Sequence, residues 1–469
     1  MKIIFLLFIC LISLSSISQE LEATWTQFTD AEKTDKVELI GVTSEKIVVG
    51  VRKQGKIQEA QIIEYGREFG SYKVLDASFE NESIIYFELI KGRTIVFSTK
   101  KQEGNKKGLF SRSIEDGKFS PPALLCVSNH ASSSFDFTLS PDGKHFGVIA
   151  NAPYMKGKNE EIESWIFTSS LVLRIEHKLA LTNDNRKVKV NVPVMSNTGV
   201  LFIIKRYRVG LDNNYFVFTI DPASEQHHKK TLSLMGKRIA DVKYELDKEN
   251  NLHLAGFYVS SSYNIYEGSF YFKLDQTAVA TTFKQNAFTE EFLIKAEGKK
   301  TAKKVGGLVD FKIREMKIVN NTIFLTAEHT KQEKVTVGSE FKTLYMKDRL
   351  ALVCLKPDGM VDHIDVLGLN QASNNDRGFW NQHKLIEYDR QLLVAHNLKD
   401  DEKVIFNLSS LKEDKTFESK DFTSVYSQLE EPMGINLKNV KFFNKEIVVT
   451  AWDINKSKFT VGIISEKAE

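Results

Sequence analysis

Eight stretches of this chain repeat one unit, a short polar turn followed by an apolar strand. In chain order the turns begin at Thr43, Glu80, Ser140, Ser196, Asp247, Asn320, Tyr388 and Asn444. The strands that follow begin at Ile47, Ile84, His145, Val200, Leu252, Ile323, Leu392 and Ile447. The turns carry Asn, Asp, Ser and Gly, residues that accept unusual backbone angles or hydrogen-bond their own main chain. The strands are rich in β-branched and aromatic residues, which suit a pleated surface. Apolar residues also precede the turns, as at Leu139 and Ile318, so each unit reads as a hairpin. The second strand of each hairpin is almost continuously apolar, so both of its faces are expected to be buried.

A further strand type follows in most units, for example Trp165-Ile166-Phe167-Thr168 and Phe270-Tyr271-Phe272. A more polar strand comes after it, as at Met360-Val361-Asp362-His363-Ile364. Four strands per unit, recurring every ~50–70 residues, predict an all-β chain. The expected fold is a β-propeller of about eight four-stranded blades, or seven if the first or last copy is partial. Ala23 to Phe28 form a strand outside the first unit and are expected to complete the last blade, closing the ring. A small residue recurs near the strand end, at Gly50, Ala150, Ala255, Ala327, Ala395 and Ala451, as a crowded position where units converge would require. The rhythm breaks near 284–310, where Phe288, Phe292 and Lys295 fall at helical spacing and predict a short helix and loop.

Length alone, 469 residues, would suggest two or three domains. Repeat architectures escape that rule because each unit packs only on its neighbours. One propeller domain is therefore expected over 19–469. Residues 1–18 read as an export signal: Lys2, the apolar run from Ile3 to Ile12, and Ser16-Ile17-Ser18 before a cleavage point at Gln19. No later segment has the ~18 apolar residues that a membrane helix needs, so no span is expected in the mature chain. A formal charge of +3 gives no global field for nucleic acid or membrane. Cys126 and Cys354, the cysteines left after processing, read either as a disulfide or as two buried thiols, and exclude a cysteine-based zinc cluster.

Phe137-Thr138-Leu139 before Ser140-Pro141-Asp142-Gly143-Lys144 resembles the strand-turn-strand of TolB-type and WD40-like propellers. The stretch from Phe311 through Ile323-Phe324-Leu325-Thr326-Ala327-Glu328 to Lys356-Pro357-Asp358-Gly359 resembles uncharacterised exported propellers of flavobacteria and related Bacteroidetes. The resemblance implies fold and export, to the periplasm, the outer-membrane periphery or the cell exterior. It implies no activity.

Catalytic signatures are absent. There is no Gly-x-Ser-x-Gly elbow, no His-Glu-x-x-His pair and no Gly-rich phosphate loop. No metal or cofactor is expected. His227-His228 is the one adjacent histidine pair, and neighbours on a strand point to opposite faces. The loop Asn374 to Trp380, with Asp376, Arg377 and Trp380, combines oxygen ligands, a guanidinium and an aromatic ring, and is a candidate contact for calcium or carbohydrate. The positions just after the small residue are the remaining candidates: Asn151, Glu328, His396 and Trp452, with Lys205 and Glu88 matched in the irregular copies. They are expected to ring one mouth of the central channel as a polar site with an aromatic surface. The resulting expectation is a monomeric, non-enzymatic binding or scaffolding propeller of the bacterial envelope, with an envelope protein or glycan as partner. The alternative is a glycan-active hydrolase or lyase with Glu328 and His396 as acid and base.

Overall fold

Each repeated unit belongs to a sheet of four antiparallel strands, and the sheets follow one another in chain order. The computed structural model describes residues 21–466 apart from 33–34, 54–58, 182–188, 211, 261–264, 338–339, 375–381, 389, 401–402, 412–416, 422–424, 426–432 and 454–456. Blades 1 to 7 span 36–78, 83–128, 134–181, 189–232, 238–287, 311–374 and 383–421, and blade 8 spans 433–466. The first strand of each blade is innermost. Lys36–Val42 of blade 1 packs on Ser83–Ile90 of blade 2 and on Met433–Phe443 of blade 8, and Phe311–Val319 packs on Arg238–Leu246 and His383–Tyr388.

The continuously apolar strand is the second from the centre. It runs between two strands of its own blade and two neighbouring blades, so alternate side chains enter different cores. In blade 6, Ile323, Leu325 and Ala327 pack with Ala255 and Phe257 of blade 5, while Phe324 packs with Leu392 and Val394 of blade 7. That geometry removes the polar face an ordinary antiparallel strand would show.

The turns behave as their residues dictate. Asn320 and Asn321 both adopt positive φ, 48° and 64°, in the two-residue link between Val319 and Thr322, the hairpin form that matches strand twist. Blade 2 departs from the expected register. Its hairpin turn is Lys91-Gly92, with φ of 49° and 76°, and its second strand is Arg93–Gln102. Glu80 to Glu82 instead lie in the connection between blades 1 and 2, where Asn81 at φ 58° imitates a hairpin turn. Glu88 therefore lies on the innermost strand, hydrogen-bonded by the Tyr86 hydroxyl at 2.5 Å, and does not match Glu328 in position.

The recurrent small residues are all buried. A Cβ on Gly50 would approach the Phe87 ring to 2.7 Å. The next position in blade 5 is Gly256, where a Cβ would sit 2.0 Å from the Asp241 carbonyl oxygen, beside the bulge between Ile239 and Asp241. Gly256→Ala must push backbone apart, and is expected to destabilise the protein by about 1–3 kcal/mol in urea unfolding; an unchanged midpoint would contradict this packing.

The amino-terminal segment closes the ring. Leu21–Trp25 pairs antiparallel with Lys458–Glu466 and supplies the outer strand of blade 8. Trp25 lies over Gly462, where a Cβ would meet its ring at 2.4 Å, and its Nε1 donates to the Val425 carbonyl at 2.8 Å.

Between blades 5 and 6 the chain forms α1 (Glu290–Glu297) and α2 (Lys299–Val305). Phe288, Phe292, Leu293 and Ala296 bury their side chains against Phe257, Phe311 and Ala327, and Lys295 pairs with Asp365. Cys126 and Cys354 are buried in blades 2 and 6 and are not joined by a disulfide. Among the described residues no helix is long and apolar enough to cross a membrane.

Strand alternation brings the ends of the second and fourth strands, and the starts of the third strands and of the next blade's first strands, to one face of the ring. The helical pair and the long hairpin of Thr322–Val337 with Glu340–Leu355 rise on that face. The ends of the second strands, which carry Asn151, Lys205, Glu328, His396 and Trp452, lie there too.

Candidate channel-mouth site

The five candidate positions share a face but occupy three blade junctions. Glu328 and His396 face each other across the junction of blades 6 and 7. Side-chain alternation sends Glu328 toward blade 7 and His396 toward blade 6, as it does for Phe324 and Val394 above. Glu328 is 1% exposed. His383 Nδ1, from the first strand of blade 7, lies 2.5 Å from its Oε1, and Lys347 Nζ donates to the same oxygen at 2.8 Å. Arg314 Nε donates to Oε2. Burial alone would raise the Glu328 carboxyl, but His383, Lys347 and Arg314 outweigh it and hold it well below the ordinary carboxylate range. Burial pushes the Lys347 ammonium down, with Glu328 opposing and Arg314 and Lys438 adding like charge.

His396 is 2% exposed, and burial, reinforced by His383, pushes its imidazole down to about 4. An unfolded histidine titrates near ~6.5, so the folded value is depressed. The neutral ring then stabilises the fold above pH ~6.5, and that contribution is lost as pH falls toward 4, on the order of 3 kcal/mol. His396→Gln is expected to flatten the loss of stability between pH 6.5 and 4.5 in urea titrations. Parallel pH profiles for the variant and the parent would contradict this reading.

The second pair meets at the junction of blades 3 and 4. Lys205 Nζ donates to Glu160 Oε2 at 2.6 Å, with both side chains 3% exposed or less. Asn191 Nδ2 donates to Glu160 Oε1 at 3.0 Å and to Asn151 Oδ1 at 2.8 Å, and Asn151 Nδ2 donates to Asp136 Oδ2 at 2.6 Å. Burial lowers the Lys205 ammonium and raises the Asp136 carboxyl. A hydrogen-bonded chain thus runs from Lys205 to Asp136 through Asn191 and Asn151.

Trp452 stands apart, between blades 8 and 1, packed on Phe459 at 5.6 Å and 4% exposed. It offers no open aromatic surface, because its ring belongs to the core formed with Val37, Leu39 and Val51. Asp376, Arg377 and Trp380 lie outside the described residues. His227 Nδ1 lies 3.1 Å from His177 Nε2 of blade 3. Among the described residues no three metal-ligating side chains converge.

Three cavities link across the channel mouth. One of about 440 Å³ holds Arg206, Lys243, Arg314, Lys317 and Lys384 with Asp241 and Glu315. A second of about 270 Å³ shares Arg314 and Glu315 and adds Lys312, Lys331, Lys347 and Lys438 with Glu328. A third of about 580 Å³ shares Val190, Val192 and Tyr244 with the first and adds Lys189 and Asp136. Ten lysines and arginines and four carboxylates line the three cavities, and Lys189, Lys317 and Lys331 pair with Glu160, Glu245 and Glu333 outside the lining, so ten cations stand against seven carboxylates in a chain whose totals, 64 and 61, nearly balance.

Arg314, Lys347, His383 and Glu160 were not legible as site residues. They lie on first and third strands, outside the aligned positions, and only the blade pairing brings them to Glu328 and Lys205.

Fold and mouth together define an eight-bladed β-propeller of four-stranded blades with a cationic channel mouth. No protein-family model matches the chain, and no curated protein sequence matches it. Among solved structures it is similar to the polysaccharide lyase Uly1, at 9% identity over 92% of this chain and 90% of that one, with a TM-score of 0.44. It is also similar to the WD40 domain of SCAP from fission yeast, at 11% identity over 93% and 99%, TM-score 0.42. The β-propeller domain of the Trilobed protease from Pyrococcus furiosus matches at 10% identity over 85% and 98%, TM-score 0.37. At this distance the likeness says nothing of activity.

Proposed function

We propose that this chain is a non-enzymatic binding or scaffolding propeller of the bacterial cell envelope, and that the channel mouth is its binding surface. The observation that carries this reading is the state of Glu328. A general acid must hold a proton near working pH and reach its substrate. Glu328 is buried, engaged by three basic groups and held ionised. His396, the other acid-base candidate, is buried and neutral. Both are suited to fixing the shape and charge of the mouth, not to shuttling protons. Export is supported by the sequence from Lys2 to Ser18.

The test is capture from an envelope fraction on the immobilised protein, with the parent compared to a Lys438→Glu variant of the mouth. A component retained by the parent and lost by the variant is the expected result. Turnover of an envelope glycan, abolished by Glu328→Gln in a protein that stays folded, would overturn the reading in favour of a glycan-active enzyme.

A further inference from the structure

We infer that the linked cavities of the channel mouth bind an extended anionic saccharide, one carrying carboxylate or sulfate groups, with Arg314 as the residue that grips its charge; this rests on the binding reading above. Arg314 lines both of the adjoining cavities. Only its Nε is engaged by the protein, at Glu328, so among the described residues the terminal nitrogens of its guanidinium make no hydrogen bond. Glu328 thereby fixes the plane of the guanidinium and leaves its fork for a planar or tetrahedral oxyanion. No carboxylate among the described residues pairs with Lys312 or Lys438, which flank it in the smaller cavity. The buried Lys347 already feels the like charges of Arg314 and Lys438. One buried carboxylate cannot neutralise this group, and an incoming anion would relieve the repulsion.

The shape and remaining chemistry favour a saccharide over a lone ion. Cavities of about 270, 440 and 580 Å³ that share walls form a run far longer than one phosphate or sulfate requires. Gln382 lines the smallest, 7% exposed, and its buried Oε1 has no hydrogen-bond partner. An unpaired amide acceptor wants a donor, which a sugar hydroxyl supplies and a sulfate ion does not. Thr330 and Gln332 beside it add groups that both donate and accept.

Calorimetric titration of the full mature chain with polygalacturonate hexamer and with sulfated dextran oligomer tests this, against neutral dextran of equal length, inorganic sulfate and an oligothymidylate. Expected are saturable binding of at least one charged saccharide, weakening with salt, and none of neutral dextran. Arg314→Lys keeps the charge but not the fork, and is expected to weaken binding about tenfold or more, as is Lys438→Glu, whose exposed position spares the fold. Equal binding of inorganic sulfate or oligothymidylate would overturn the saccharide assignment. So would failure of every charged saccharide while a neutral glycan or an envelope protein is retained, and that outcome would leave the binding reading standing. Cleavage of the saccharide would instead sink the binding reading itself.

Discussion

A chain begun at residue 31 instead of residue 19 is expected to lose on the order of 5 kcal/mol of stability and to associate. The segment removed supplies the outer strand of blade 8. It takes away seven residues of ladder pairing, the burial of Ala23 and most of Trp25, and the bond from Trp25 Nε1 to the Val425 carbonyl. Thr26 is lost as well; it bonds the Val461 carbonyl through its backbone at 2.9 Å and meets the Thr460 hydroxyl at 3.0 Å. The strand Lys458–Glu466 would become an open edge, with the apolar faces of Val461 and Ile464 near solvent, a template for pairing with another chain. Thermal unfolding should show a lower midpoint, and size-exclusion chromatography should show dimers or aggregates. A shortened chain that stays monomeric with an unchanged midpoint would mean that the ring does not depend on this closure.

The second large effect lies at Glu328. Replacing it with Ala leaves Lys347, Arg314 and His383 around a buried space with no counter-charge. Breaking such a buried cluster from one side costs about 3–5 kcal/mol. Removing the buried cation too, in Glu328→Gln with Lys347→Met, is expected to restore more than half of that loss, because the penalty comes from the uncompensated charge. The pH behaviour separates this group from His396. The folded carboxyl sits below its unfolded value near ~4.3, so its stabilisation is complete above that value and is lost on acidification below it. The histidine contribution fades earlier, between pH 6.5 and about 4. Urea titrations across pH 3 to 8 on the three proteins would resolve the two windows. A Glu328→Ala protein as stable as the parent at pH 7 would mean that the cluster is solvated, not buried.

The blade pattern was readable because burial on both faces is a strong, local signal. A strand such as Leu252–Val259, buried at every residue, can hardly be anything but a strand held between two neighbouring blades. The closing strand was readable for a related reason, since Ala23 to Trp25 had no hairpin partner of its own in sequence. Register failed in blade 2, where Asn81 in a connector and Lys91-Gly92 in the true hairpin carry the same left-handed signal. Turn chemistry reports a backbone conformation and cannot say which two strands it joins.

The mouth was only half legible. Counting from the small residue proposed a single ring of candidates, whereas the structure distributes them over three blade junctions, with Asn151 and Lys205 between blades 3 and 4 and Glu328 and His396 between blades 6 and 7. It placed Trp452 in the mouth when its ring packs into the core between blades 8 and 1. It also missed the positive charge. Lys312, Arg314, Lys347 and Lys438 come from three strands of two blades, and a net charge of +3 hides a concentration that only folding creates.

The most direct test of the account is to follow retention and chemistry in one sample. The mature protein, immobilised, would be exposed to labelled anionic oligosaccharide, and the bound fraction and the chain length of the eluted sugar measured together. Saturable retention, loss of retention in Arg314→Lys, and eluted sugar of unchanged length are expected. Shortened or unsaturated products that disappear with Glu328→Gln would contradict it.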